Sequence, residues 1–143
     1  MIKKILTAVL LLTVAFCVNA RVKYTDEMKS FIGTWTHQDK AGNDCAYRFY
    51  VSDGWLIIRY KYVDHFYEGT ELEGVTNTNM NVDYTYSNGS FHYHRNYPHA
   101  NNSITLRLKE GSLVETNSHT SWDEDNPRKV YKATYEAIYD LDF

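Results

Sequence analysis

The chain has 143 residues, 43% of them hydrophobic and 23% charged, with a formal net charge of −3. That length fits one domain, and the apolar content is too high for a disordered tail. Lysines and arginines are scattered along the chain and outnumbered by acidic residues, which argues against a nucleic-acid reader that works through a basic face. The most unusual figure is 13 tyrosines, a residue suited to half-buried strands because its ring is apolar and its hydroxyl can stay wet.

Residues 1–20 read as a secretory signal. Lys3 and Lys4 form a basic start, Ile5 to Val18 an apolar run, and Val18-Asn19-Ala20 a small-x-Ala cleavage pattern. The run is too short to span a bilayer, and no later stretch is apolar enough to do so. The expected location is therefore secreted or periplasmic. A lipid anchor on Cys17 is the rival, although bulky Phe16 fits that signal poorly. Removing Lys3 and Lys4 from the 15 basic residues leaves 13 against 18 acidic ones, a net charge of −5. Cys45 is then the sole cysteine of a single domain over 21–143, so no internal disulfide can form and the core must hold the fold. Nothing near Cys45 would lower its pKa, so it reads as a half-buried thiol and not a nucleophile.

Thr25 to Phe31 fits one short helical turn with Met28 and Phe31 on one side. Beyond it no window has helical period. Short runs of alternating type, separated by turn residues such as Ser52-Asp53-Gly54 and Ser87-Asn88-Gly89, mark an antiparallel meander. Eight strands are expected, at 31–39, 44–52, 55–66, 72–86, 90–97, 103–109, 112–122 and 128–139, the fourth bent around Asn77 to Asn81. Tight hairpins favour an all-β, eight-stranded, up-and-down barrel, because closure removes exposed edges. A two-sheet sandwich is the alternative.

The period of two assigns faces. Inward positions are Tyr47, Phe49 and Val51; Leu56, Ile58, Tyr60 and Tyr62; Met80, Val82, Tyr84 and Tyr86; Phe91, Tyr93, Arg95 and Tyr97; Ile104, Leu106 and Leu108; and Tyr131, Ala133, Tyr135, Ala137 and Tyr139. The run 112–122 alternates too weakly to orient. Trp55, Ile57, Tyr50 and Ile138 point outward and would make a subunit contact if they fell together, implying a homo-oligomer.

Phe31-Ile32-Gly33-Thr34-Trp35 resembles the opening of the calycin barrels, the lipocalins and avidins, which begin their first strand with Gly-x-Trp after a short helical turn. The fatty-acid-binding branch carries a helix pair where this chain has only Ala41–Asp44. The resemblance implies that Trp35 plugs the closed end of a barrel, with a late basic residue, Arg128 or Lys129, over it. It also implies a small ligand in the lumen.

Inward tyrosines make that lumen aromatic yet wet, suited to an aromatic or amphipathic small molecule. A buried hydroxyl without a partner costs about 1–3 kcal/mol. The candidate ligand-binding residues are Trp35, Tyr60, Tyr62, Tyr84, Tyr93, Arg95 and Tyr135, with Arg95, Tyr93 and Tyr84 anchoring an acidic group. His92 and His94 share a face but point outward, so no metal site is assigned. No haem signature and no strained nucleophile elbow is present, so neither cofactor nor catalysis is expected. Asn88-Gly89-Ser90 and Asn101-Asn102-Ser103 match glycosylation acceptors. The reading is an exported, non-enzymatic ligand binder. The alternative is a structural or interaction protein with a solid core, working on a protein or glycan through its outer surface or loops.

Overall fold

Residues 21–142 are described by a computed structural model. The expected signal segment 1–20 and Cys17 lie outside the described residues. The described residues are all-β and antiparallel, with one 3-10 helix at Asp26–Phe31. No described helix is long and apolar enough to cross a membrane.

Among the described residues ten strands form, not eight: β1 (Val22–Lys23), β2 (Gly33–Gln38), β3 (Asp44–Ser52), β4 (Trp55–Glu68), β5 (Glu71–Asn81), β6 (Thr85–Ser87), β7 (Ser90–Tyr97), β8 (Ala100–Lys109), β9 (Ser112–Trp122) and β10 (Val130–Asp142). Both extra strands have one cause. β1 pairs with the start of β4, Val22 opposite Leu56, and so occupies the edge that the end of the long fourth strand would otherwise take. The chain leaves the β4 ladder at Val82, whose N–H still reaches the Ile58 carbonyl, and resumes pairing with β7 from Thr85. Between them the Tyr84 hydroxyl donates to the Leu56 carbonyl at 2.5 Å and accepts the Val22 N–H at 3.2 Å. The break therefore falls at Val82–Tyr84 and not at Asn77–Asn81.

The sheet runs β1-β4-β3-β2-β10-β9-β8-β7-β6, with β5 also on β4. Its ladder does not close on itself, because β5 pairs with β4, β6 pairs with β7, and no pairing joins β5 to β7. The two halves, β2–β5 and β6–β10, are stitched by Thr34–Thr36 against Asp140–Asp142. Where that pairing stops, His37 Nδ1 bonds the Ile138 carbonyl at 3.0 Å. Beyond Val63, β4 has β5 as its only partner, leaving a projecting ribbon; Val130–Ile138 of β10 likewise pair only with β9.

The inner faces of both halves close on one core. Phe31 of the helix meets Phe91 edge-on at 4.8 Å, Phe49 lies 5.5 Å from each of them, and Tyr47 reaches Tyr93 from strands far apart in the sheet order. Burying such rings is the main stabilising term. Trp35 is buried here, its indole N–H donating to the Phe31 carbonyl at 2.8 Å. Gly33 has φ +137°, and a Cβ there would meet Leu141 Cδ1 at 2.7 Å, so this position of the Gly-Thr-Trp run admits only glycine without strain. We call this end the base. The turns 39–43, 69–70, 98–99 and 123–129 gather at the other end, the rim. Arg128 and Lys129 are exposed in the last of these, so neither covers Trp35; Lys129 lies over the Tyr131 ring instead.

Candidate functional site

Between base and rim the inner face changes from apolar to polar, and the polarity is organised. Arg95 on β7 donates from Nη1 to the Tyr93 hydroxyl at 3.2 Å. The Tyr93 and Tyr47 hydroxyls are 2.5 Å apart, and Tyr47 gives its own proton to Glu115 on β9. Tyr93 must therefore donate to Tyr47, and the chain runs from guanidinium through two phenols to carboxylate with every donor pointing the same way. Aligned bonds of this kind strengthen one another in a dry interior. Glu115 also lies 3.8 Å from Arg95 directly, their side chains being 9% and 14% exposed, and the guanidinium stacks over Tyr60 with its centre 4.5 Å from the ring centroid.

Burial pushes the phenols of Tyr47, Tyr60, Tyr93 and Tyr139 well above their ordinary range. Burial alone would lower Arg95, but the surrounding phenols and Glu115 outweigh it, and the guanidinium is held in its charged form. Burial, helped by the charges of Asp39 and Glu115, raises Cys45 to about 11, so it is an inert thiol.

Towards the rim the network continues through Asn102 on β8. Its Nδ2 donates to the Arg95 carbonyl at 2.8 Å, which turns Oδ1 towards β9. There Oδ1 accepts from Asn117 Nδ2 at 3.0 Å and lies 2.7 Å from His119 Nδ1. In the uncharged imidazole this places the proton on Nδ1 and leaves Nε2 as the acceptor. Asn117 Oδ1 is buried with no partner. On the opposite wall, the Tyr62 hydroxyl accepts from Asn43 Nδ2 at 3.0 Å and donates to Asp39 at 3.4 Å.

The register carries the inner face past this floor, through Tyr97, Tyr131, Tyr135 and Phe66, and there the rings are exposed. Alternation places Tyr135 inside the lumen. It is on the inner side, 5.9 Å from the His119 ring, but 57% exposed, because its stretch of β10 stands above the packed core. Of the candidate residues, Tyr60, Tyr93 and Arg95 come together at the floor, with Tyr62 and Tyr135 higher on the walls. Trp35 and Tyr84 lie at the base, away from Arg95. Tyr84 is engaged with Leu56 and Val22 and cannot share an anchor with Arg95.

Sequence reasoning missed Glu115, because 112–122 alternates weakly. The available signal was Arg95 itself, whose burial demands a carboxylate. His92 bonds Thr105 at 3.0 Å on the outer side and His94 is exposed; among the described residues no group of three His, Cys, Asp or Glu could hold a metal. Tyr50 and Ile57 face each other on the outer surface, with Trp55 two positions along, while Ile138 lies on β10 away from them.

No family model, curated protein or solved structure matches this chain. The site must be read from its own chemistry.

Proposed function

We propose that the curled sheet works as a calycin-like barrel, an incompletely sealed version of the eight-stranded form, and that its rim end is a cup for an aromatic or amphipathic small molecule. The protein is then an exported, non-enzymatic binder. The observation that carries this reading is the run of exposed rings on the inner face, Phe66, Tyr97, Tyr131 and Tyr135, standing above the Arg95–Tyr93–Tyr47–Glu115 relay, which is complete without them. Inward-register rings would be buried if the interior were only a core, and apolar walls with a few fixed polar groups are what small-molecule sites use.

Titration with the neutral aromatic dye N-phenyl-1-naphthylamine tests it. Trp122, which lies against His99 at the rim, should be quenched as the dye brightens, with saturation at one equivalent. Tyr97→Ala and Tyr135→Ala should each weaken binding several-fold. A dye response that never saturates, or that survives both substitutions, removes the cup.

A second reading, a surface-acting interaction protein, is favoured by a groove of about 390 Å³ on the outer face, lined by Arg48, Tyr50, Arg59, Lys61 and Asn79 among others. Arg48 and Arg59 sit directly opposite each other there, a repulsive pairing on neighbouring strands.

A further inference from the structure

We infer that the cup takes a protonated amine carried on an aromatic or apolar body, an inference that rests on the cup being the binding site. Three independent features of the inner face point the same way.

The floor is electrically balanced. Arg95 is compensated by Glu115 at 3.8 Å and gives one of its five N–H donors to Tyr93, so the pair offers no net positive charge to an arriving anion. The acidic ligand that Arg95 suggests in isolation would face Glu115 as well. Above the floor the wall charges are acidic. Asp64 lies on the inner register of β4, one turn of the pleat beyond Tyr62, and Asp39 holds the Tyr62 hydroxyl. The rim turn after β9 adds Asp123, Glu124 and Asp125 against Arg128 and Lys129, which leaves it acidic by one charge. An excess of one sign of charge around a cleft concentrates ions of the other sign.

The inner face also carries unpaired acceptors. Asn117 Oδ1 is buried without a partner, and its amide cannot be turned over, because Nδ2 is already committed to Asn102. The Asn102 bond also leaves His119 with an acceptor nitrogen. A ligand that satisfies them must donate, and an ammonium donates through three N–H bonds while accepting none. Finally, exposed tyrosine faces attract cations as well as apolar surface, and Tyr135 stands beside His119.

The test is a charge series on one ring: tyramine, 4-ethylphenol and 4-hydroxyphenylacetate, titrated calorimetrically into the intact chain at low salt. Tyramine should bind at least about tenfold more tightly than 4-hydroxyphenylacetate, with 4-ethylphenol between them, and added salt should narrow the gap. Asp64→Asn, on the partly exposed part of β4 where folding is not at stake, should weaken tyramine several-fold and leave 4-ethylphenol unchanged. If the acid binds as well as the amine, or none of the three binds while the naphthylamine dye does, the amine assignment is wrong and the cup stands. If the dye also fails to bind, the cup itself is wrong.

Discussion

Tyr47 is the residue on which the floor turns. Its hydroxyl is the only link in the relay between Tyr93 and Glu115, and the residue is fully buried. Tyr47→Phe keeps the ring but leaves a buried carboxylate one donor short, which costs about 1–3 kcal/mol; the denaturation midpoint in urea should fall with an unchanged slope. Glu115→Ala should cost more, about 3–5 kcal/mol, because it leaves Arg95 charged and unpaired in the interior. A smaller loss for Glu115 than for Tyr47 would mean that the guanidinium has another counter-ion. Cys45 makes a separate prediction. An ordinary thiol near 9 is partly thiolate at mildly alkaline pH, whereas one raised to about 11 is not. Iodoacetamide should leave the native protein unlabelled under conditions that label it fully in urea. At this scale the sequence was legible where burial forces a residue's hand: Arg95 announces an interior site because a guanidinium among tyrosines is conspicuous. Its partner was hidden, since Glu115 lies in Glu115-Thr116-Asn117, where nothing apolar marks the inner side.

Among the elements, the period of two located every hairpin, because turns at Asp53-Gly54, Asn88-Gly89 and Glu110-Gly111 require the positive φ that these residues adopt. What alternation could not reveal was competition for an edge. Two residues, Val22 and Lys23, are too short a run to read as a strand, yet by taking the β4 edge they divide β5 from β6. The β2–β10 stitch is equally short, and Gly33 lies at its end. Gly33→Ala combines an unfavourable backbone angle with the Leu141 clash, so a loss of about 1–3 kcal/mol is expected in thermal unfolding. Adding Leu141→Ala should relieve the clash and not the angle, recovering only part of it. The ribbon beyond Val63 has no third strand to lean on, and isolated two-stranded pairs are marginal in water. Its amides, over residues 64–76, should exchange with solvent much faster than those of 55–63; equal protection would show that another part of the chain covers the ribbon.

For the whole molecule, the tyrosines that make the interior polar also set its alkaline limit. Tyr47, Tyr60, Tyr93 and Tyr139 ionise above the ordinary value of 10 when folded, and Cys45 above 9. An acid whose folded pKa is raised lends its full stabilisation below its unfolded pKa, and loses it as pH climbs towards the folded value. The melting temperature should therefore hold up to about pH 9 and drop steeply beyond pH 10, with phenolate absorbance from the buried set appearing only as the protein unfolds. A gradual titration with no loss of structure would place those phenols in contact with water. The overall class, all-β and antiparallel, was readable from alternation; the degree of closure was not, since it depends on which backbone groups find each other across a seam that no local pattern encodes.

That seam has a cost in the test tube. Along residues 71–81 of β5 and 130–137 of β10, one flank of each strand has its amides and carbonyls free of any neighbouring strand. Such flanks are templates for a stranger's extended backbone. Glu71 and Glu73 repel the same pair on another copy's β5 and so oppose edge-to-edge pairing there, a protection that concentrated salt would weaken.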